Sequence, residues 1–252
     1  MRPLSIVIIT YNEEHNIRRC LESLQGIGDE ILVVDSGSLD STTDICRSMV
    51  ATVIEQDCLA YIEQKNFATS KAKNDWVLSL DADEALTPEL KTSILAIIDN
   101  PQADGYTINR LTNYCGTWVR HSGWYPDVKL RLYNRQKGQW TGINPHDRFR
   151  LNLGSKMQHL KGDILHYSYA SVSDHIKQID RFSTIGAISM HNQGKRSSIL
   201  KILYKPMARF MRHFVFKAGF LDGLTGYTIA INSAHAVFLK YLRLYSLEKD
   251  KS

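Results

Sequence analysis

The chain has 252 residues, 43% hydrophobic and 23% charged, a globular composition that excludes a disordered or fibrous chain. Its net charge of +5 is uneven: Arg181 to Leu221 holds eight Lys and Arg and no acidic residue, so the remainder is net acidic and the last third is expected to meet an anionic partner. No run approaches the roughly 18 apolar residues of a membrane span, Leu4 to Ile9 reads as a strand rather than a secretory signal, and Cys20, Cys46, Cys58 and Cys115 lack metal-ligand spacing, which together suggest a protein of the reducing cytosol.

Leu4 to Thr10 (LSIVIIT) is a continuous β-branched run, the pattern of a strand buried on both faces. Glu13 to Leu24 follows with Ile17, Leu21 and Leu24 at helical spacing. Glu30 to Asp35 predicts a second buried strand, then a turn at Ser36-Gly37-Ser38 and a helix capped by Asp40 or Ser41 running to about Val50. Thr52 to Glu55 is a short strand, Ala60 to Asn74 a polar helix, and Asp75 to Leu80 a strand that ends at an acidic cluster. Thr87-Pro88 is a helix start, a capping hydroxyl followed by proline at the first helical position. Alternating strands and helices predict an α/β fold built on a parallel sheet, which binds ligands beyond the carboxyl ends of its strands. Three polar clusters fall at those ends: Thr10 to Glu13, Asp35 to Ser38, and Asp81 to Glu84.

From Asp104 to His166, aromatics, glycines and short β-like runs such as Val128 to Tyr133 predict strands and loops that extend the sheet and build an acceptor site. Beyond Ser171 the chain turns helical. Ser171 or Ser173 caps a helix to about Asn192, with Gly194 suited to its end. A second stretch covers Ile199 to Lys217 with Pro206 as a break or restart, and a third covers Leu224 to Leu244. At 100° per residue, Ile199, Leu203, Met207, Phe210 and Phe214 share one face of the second stretch, and Lys201, Lys205, Arg209 and Arg212 the opposite one. Such a helix suits either an anionic membrane surface or packing on its own domain with a solvated basic face. Nucleic acid is not an expected partner, since no nucleic-acid fold signature accompanies the charge. The domain organisation expected is a catalytic region over 1–170, with a nucleotide half (1–103) and an acceptor half (104–170), and a helical extension over 171–252.

Asp81-Ala82-Asp83 carries the chemistry most directly. Carboxylates can hold a divalent ion that neutralises a leaving diphosphate, and two aspartates around a small residue can divide ribose and metal between them. The alternative is a solvated acidic turn. Asp35 can accept a nucleobase N–H, or serve only its own turn.

The series Ile8-Ile9-Thr10-Tyr11-Asn12-Glu13, Val33-Val34-Asp35-Ser36-Gly37-Ser38-Leu39-Asp40 and Leu80-Asp81-Ala82-Asp83-Glu84 resembles family 2 inverting glycosyltransferases of the GT-A fold, a Rossmann-like, mostly parallel sheet flanked by helices. The resemblance implies that Thr10, Asn12 and Glu13 line the nucleotide-sugar pocket, Asp35 reads the base, Asp81 helps hold the nucleoside, and Asp83 carries Mg²⁺ or Mn²⁺. Lys65, in Gln64-Lys65-Asn66-Phe67-Ala68, resembles the basic position that faces the nucleotide, and is otherwise a solvated helix lysine. Trp124-Tyr125-Pro126-Asp127, Arg131-Leu132-Tyr133, Pro145-His146-Asp147, Leu165-His166-Tyr167-Ser168-Tyr169 and Phe220-Leu221-Asp222-Gly223 resemble the subfamily that glucosylates inner-core heptose of lipopolysaccharide. Where that subfamily has Val-His-Glu, this chain has Pro145-His146-Asp147, a shorter carboxylate.

The activity so implied is inverting transfer of glucose or another hexose from a UDP-sugar to a glycolipid acceptor, the lipopolysaccharide core, by a cytoplasmic enzyme peripheral on the inner leaflet. A polyprenyl-linked sugar or a protein side chain is the alternative acceptor, and a nucleotidyltransferase the alternative chemistry. An inverting transfer needs one general base from the acceptor half. Asp147 is the expectation and Asp127 the alternative, against a loop carboxylate paired with Arg148 or Arg131. His166 is a candidate further metal ligand, or a structural histidine; His146 is open between ligand, acceptor contact and loop residue.

Overall fold

The structure is a computed structural model that describes residues 2–57, 60–143 and 146–249. Cys58, Pro145 and the His146 side chain, singled out above, lie outside the described residues. The chain forms two compact units, one of residues 1–110 and 127–167, the other of 111–126 and 168–252.

In chain order the elements are β1 (Leu4–Thr10), α1 (Ile17–Ser23), β2 (Glu30–Asp35), α2 (Thr42–Ser48), β3 (Thr52–Glu55), α3 (Tyr61–Lys71), β4 (Trp76–Asp81), β5 (Glu84–Leu86), α4 (Pro88–Ile98), β6 (Gly105–Tyr114), β7 (Thr117–Val119), β8 (Asp127–Asn134), β9 (Gly138–Ile143), β10 (His146–Leu151), β11 (Met157–Tyr169), α5 (Val172–Asn192), α6 (Ile199–Met211) and α7 (Gly223–Lys249). The main sheet has the order β3-β2-β1-β4-β8-β6-β11-β5, and β9 and β10 form a separate antiparallel pair.

The first four strands are parallel. The two-residue period of β1 explains its unbroken apolar run. Ile6 and Ile8 enter a core with Ile17 and Leu21 of α1 and Leu90 and Ile94 of α4, whereas Val7 points the other way, to Ala68 of α3, Tyr133 and Trp140. β8 then pairs antiparallel to β4, and β6 antiparallel to β8, so the predicted acceptor half does extend the sheet. β11 pairs antiparallel with β5, setting His166 opposite Glu84. Its approach depends on Gly162 at φ +91°, where a Cβ would stand 2.4 Å from the backbone N of Leu90. Next to it, Thr87 and Asp163 exchange bonds: Thr87 N–H donates to the Asp163 carbonyl, and Asp163 N–H to Thr87 Oγ1, both at 3.1 Å.

Two local expectations change. α1 begins at Ile17 rather than Glu13, after a turn in which Asn16 and Ile17 N–H both donate to the Glu13 carbonyl. Pro206 does not break α6, which runs through it to Met211 and passes into a π-helical turn over Arg212–Phe216. Proline removes only the bond that residue 206 would donate to the Ile202 carbonyl, and the helix absorbs that loss.

In the second unit, Ser171 and Asp174 form a reciprocal capping box that starts α5, and α5 and α6 each pack on α7. Tyr114, Trp124, Tyr169 and His175 make an aromatic cluster with ring centroids 4.6–6.1 Å apart. Burial pushes the His175 imidazole down to about 4. No helix among the described residues is long and apolar enough to cross a membrane.

Candidate functional site

The register of the parallel strands brings the first two sequence clusters level. Thr10 at the end of β1 pairs with Asp35 at the end of β2, and Ile9 with Asp81 at the end of β4. Two loops leave these ends and are tied together. Asn12, at φ 53°, donates its N–H to Ser38 Oγ, and its Oδ1 accepts from Leu39 N–H, each at 2.8 Å. Glu13 N–H donates to Thr42 Oγ1 at 2.8 Å. The Asp35 carboxylate is buried and serves its own turn, with Oδ2 accepting from Gly37 and Ser38 N–H and Oδ1 from Ser38 Oγ. One lone pair of Oδ1 is left for a ligand donor. Thr10 Oγ1 is buried without a hydrogen-bond partner among the described residues.

Lys65 is not a solvated helix lysine. α3 carries it inward, and its side chain is 4% exposed. Its ammonium bridges Asp81 Oδ1 at 3.0 Å and Asp147 Oδ2 at 2.8 Å, with the Trp140 ring 4.7 Å away. Asp147, on β10, is therefore paired with Lys65 rather than held by its neighbour Arg148. On the other side of Asp81, Arg131 of β8 reaches Asp81 Oδ2 at 2.9 Å and Glu84 Oε1 at 2.7 Å. Glu84 is completely buried; its Oε2 accepts from Asp81 N–H, and its Oε1 also meets Arg110, which in turn binds Asp127 at 2.7 Å. The result is one alternating line of charge, Asp147, Lys65, Asp81, Arg131, Glu84, Arg110 and Asp127.

Two carboxyls of the line, Asp81 and Asp127, are held low by their cations. Burial alone would raise the Asp81 carboxyl, but Lys65 and Arg131 overcome it and hold the group well below the usual carboxylate range. Asp127 follows the same logic: against burial, Arg110 and Lys129 hold it low. Sequence reasoning missed Arg110 altogether, and it quoted Glu84 and Arg131 within motifs without giving either a role in the site. The available signal was charge inside strands that pack into a core, since such groups stay buried only when paired.

Asp83 stands apart from the line, beside β11. Its Oδ2 lies 3.1 Å from His166 Nε2, and its carbonyl accepts from Tyr167 N–H at 2.9 Å. Burial raises the Glu13 carboxyl above its usual value; the bond from Asn16 opposes that, and the Asp83, Asp40 and Asp81 charges add to it. Among the described residues no group of three or more His, Cys, Asp and Glu is arranged to hold an ion. The Asp83 and His166 pair offers two donors in a negative field, which fits a divalent ion completed by diphosphate oxygens and water.

Residues 5–160 match the family described as glycosyl transferase family 2. An uncharacterized glycosyltransferase of Rickettsia typhi is 33% identical over 257 aligned residues, which span 98% of this chain and 88% of the relative. The lipopolysaccharide core biosynthesis glycosyltransferase LpsC of Rhizobium meliloti is 29% identical, over 96% of this chain and 92% of its own. Among solved structures, TarS of S. aureus in complex with UDP is similar at a TM-score of 0.49 and 16% identity, over 99% of this chain and 92% of that one.

Proposed function

The chain belongs to glycosyl transferase family 2, and on that premise we propose that it is an inverting, metal-dependent hexosyltransferase that moves glucose or another hexose from a UDP-sugar to inner-core heptose of lipopolysaccharide. The observation that carries the reading is that Thr10, Asp35 and Asp81 come together at the carboxyl edge of the α/β, GT-A sheet, with Asp83 and His166 beside it. The likeness to LpsC along nearly the whole chain supports the acceptor class. A glycolipid acceptor in turn supports a cytoplasmic enzyme, peripheral on the inner face of the membrane, with the 171–252 extension as its membrane side.

In this reading Thr10, Asn12, Glu13, Asp35 and Asp81 hold the nucleoside, and Asp83 with His166 would hold Mg²⁺ or Mn²⁺. The ion supplies charge neutralisation at the departing diphosphate. Lys65 is the cation a donor diphosphate would compete for, which would release Asp147 from its ion pair. Asp147 is accordingly the choice for the base that takes the acceptor hydroxyl's proton. Asp127, held low by Arg110 and Lys129, is a weak proton acceptor.

The test is incubation of the purified protein with a panel of UDP-sugars and truncated core lipid, products being read by mass spectrometry and linkage NMR. One hexose added to heptose with inverted configuration and release of UDP is the expected result. Transfer only to a polyprenyl-linked sugar or a peptide would replace the acceptor. Release of inorganic pyrophosphate from a nucleoside triphosphate would replace the chemistry.

A further inference from the structure

Amphipathic helices of folded domains turn their apolar side inward. α6 does so only in part. The residue it buries is Ile202. On the side opposite, Leu200, Leu203, Tyr204, Met207 and Met211 are all exposed, Leu203 and Met207 by 67% and 66%. Phe210 and Phe214, which the sequence pattern places with them, leave this surface. They stack on each other at 5.4 Å and turn onto Tyr227 of α7 at 5.9 and 5.7 Å. The fold has thus used the aromatic edge of the helix and left the aliphatic stripe uncovered. Lone exposed apolar side chains are ordinary, but a stripe over three helical turns is not.

The charge around the stripe says what covers it. Exposed Lys195, Arg196 and Lys217 flank its two ends, and at 100° per residue Lys201 and Arg212 stand beyond Tyr204, where the basic face begins. No carboxylate occurs from Arg181 to Leu221. A second copy of the chain would bring these cations against their own kind, whereas a phosphate-bearing lipid surface matches both the apolar stripe and its basic margin.

We infer that α6 is a membrane-insertion element, lying in the plane of an anionic bilayer with Leu200, Leu203, Tyr204, Met207 and Met211 among the acyl chains and its flanking cations at the lipid phosphates. The inference rests on the reading of a membrane-peripheral enzyme and assigns that contact to particular residues.

The test is sedimentation of the full chain with phosphatidylcholine vesicles, alone or carrying about one third phosphatidylglycerol, at low and high salt. Binding to the anionic vesicles that weakens with salt is expected. The double variant Leu203→Glu, Met207→Glu should lose at least about tenfold in partitioning, while Lys201→Gln with Arg212→Gln should lose the preference for anionic lipid. Leu203, Met207 and Arg212 are exposed and Lys201 is half-buried, and unchanged circular dichroism confirms that both variants fold. Equal binding by wild type and the Glu variant overturns the inference, as does a concentration-dependent dimer without vesicle binding. Hexose transfer to a delipidated core oligosaccharide is measured in parallel. Transfer without vesicle binding overturns the membrane contact alone, and vesicle binding without transfer overturns the catalytic reading alone.

Discussion

The two compact units depart from the usual distribution of polar and apolar groups in opposite directions. In the first, Lys65, Arg131 and Glu84 are buried, Lys65 paired with Asp81 and Asp147 and Arg131 with Asp81 and Glu84. In the second, α6 exposes a row of large apolar side chains and hides an isoleucine. Charge inside and hydrocarbon outside are both costly, so each marks a place where something other than self-packing shaped the chain. The first unit holds its charges in a fixed alternating order. The second presents a surface that this chain by itself does not cover.

That contrast can be attacked from its most sensitive point. Glu84→Ala leaves Arg131 and Arg110 facing each other across a buried gap and should cost about 3–5 kcal/mol in urea unfolding. A loss below about 1 kcal/mol would mean that the charges are solvated and the line is incidental. Asp83→Ala, outside the line, should leave unfolding nearly unchanged and reduce transfer roughly a hundredfold or more. Full turnover of that variant in the presence of a chelator would remove Asp83 from the reaction.

Acid should separate the units. Asp127 is held below the usual value of about 3.9, so the stability it contributes is complete above that pH and is lost only as pH falls further. His175 is pushed from about 6.5 down to about 4; its contribution is complete above about 6.5 and is lost as pH falls from there, on the order of 3 kcal/mol in all. Hydrogen exchange should therefore quicken first in the helices of the second unit, between about pH 6 and 4. His175→Gln should remove that early loss, and its persistence would show that another group titrates. The smallest effect belongs to α6, where Leu203→Ser should change stability by no more than about 0.5 kcal/mol because the side chain has no packing to lose.

Much of the first unit is legible in local pattern. The runs at β1, β2 and β4 are long and β-branched, and each ends in a polar cluster, so both the parallel sheet and its ligand edge follow from period and topology. The charge line is not legible in the same way. Arg110, Arg131 and Asp147 sit 17 to 82 residues from their partners, on strands whose pairing no local signal encodes. His166 could be named from its motif, yet its contact with Asp83 exists only because β11 pairs with β5 across Gly162.

The α6 stripe shows the same division. Periodicity determines that an apolar arc and a basic arc exist, since 3.6 residues per turn follows from backbone geometry alone. Which arc faces the protein is decided by what the neighbouring helix offers, and Tyr227 takes Phe210 and Phe214 while leaving Leu203 and Met207 outside. The grouping of residues 111–126 with the helices is likewise a matter of long-range packing, around Tyr114, Trp124 and His175. Sequence alone determined the strands, the helices and the family of the catalytic motifs, because those depend on neighbours along the chain. Tertiary structure decided which charges meet and which hydrocarbon stays uncovered, because both depend on partners that only folding brings within reach.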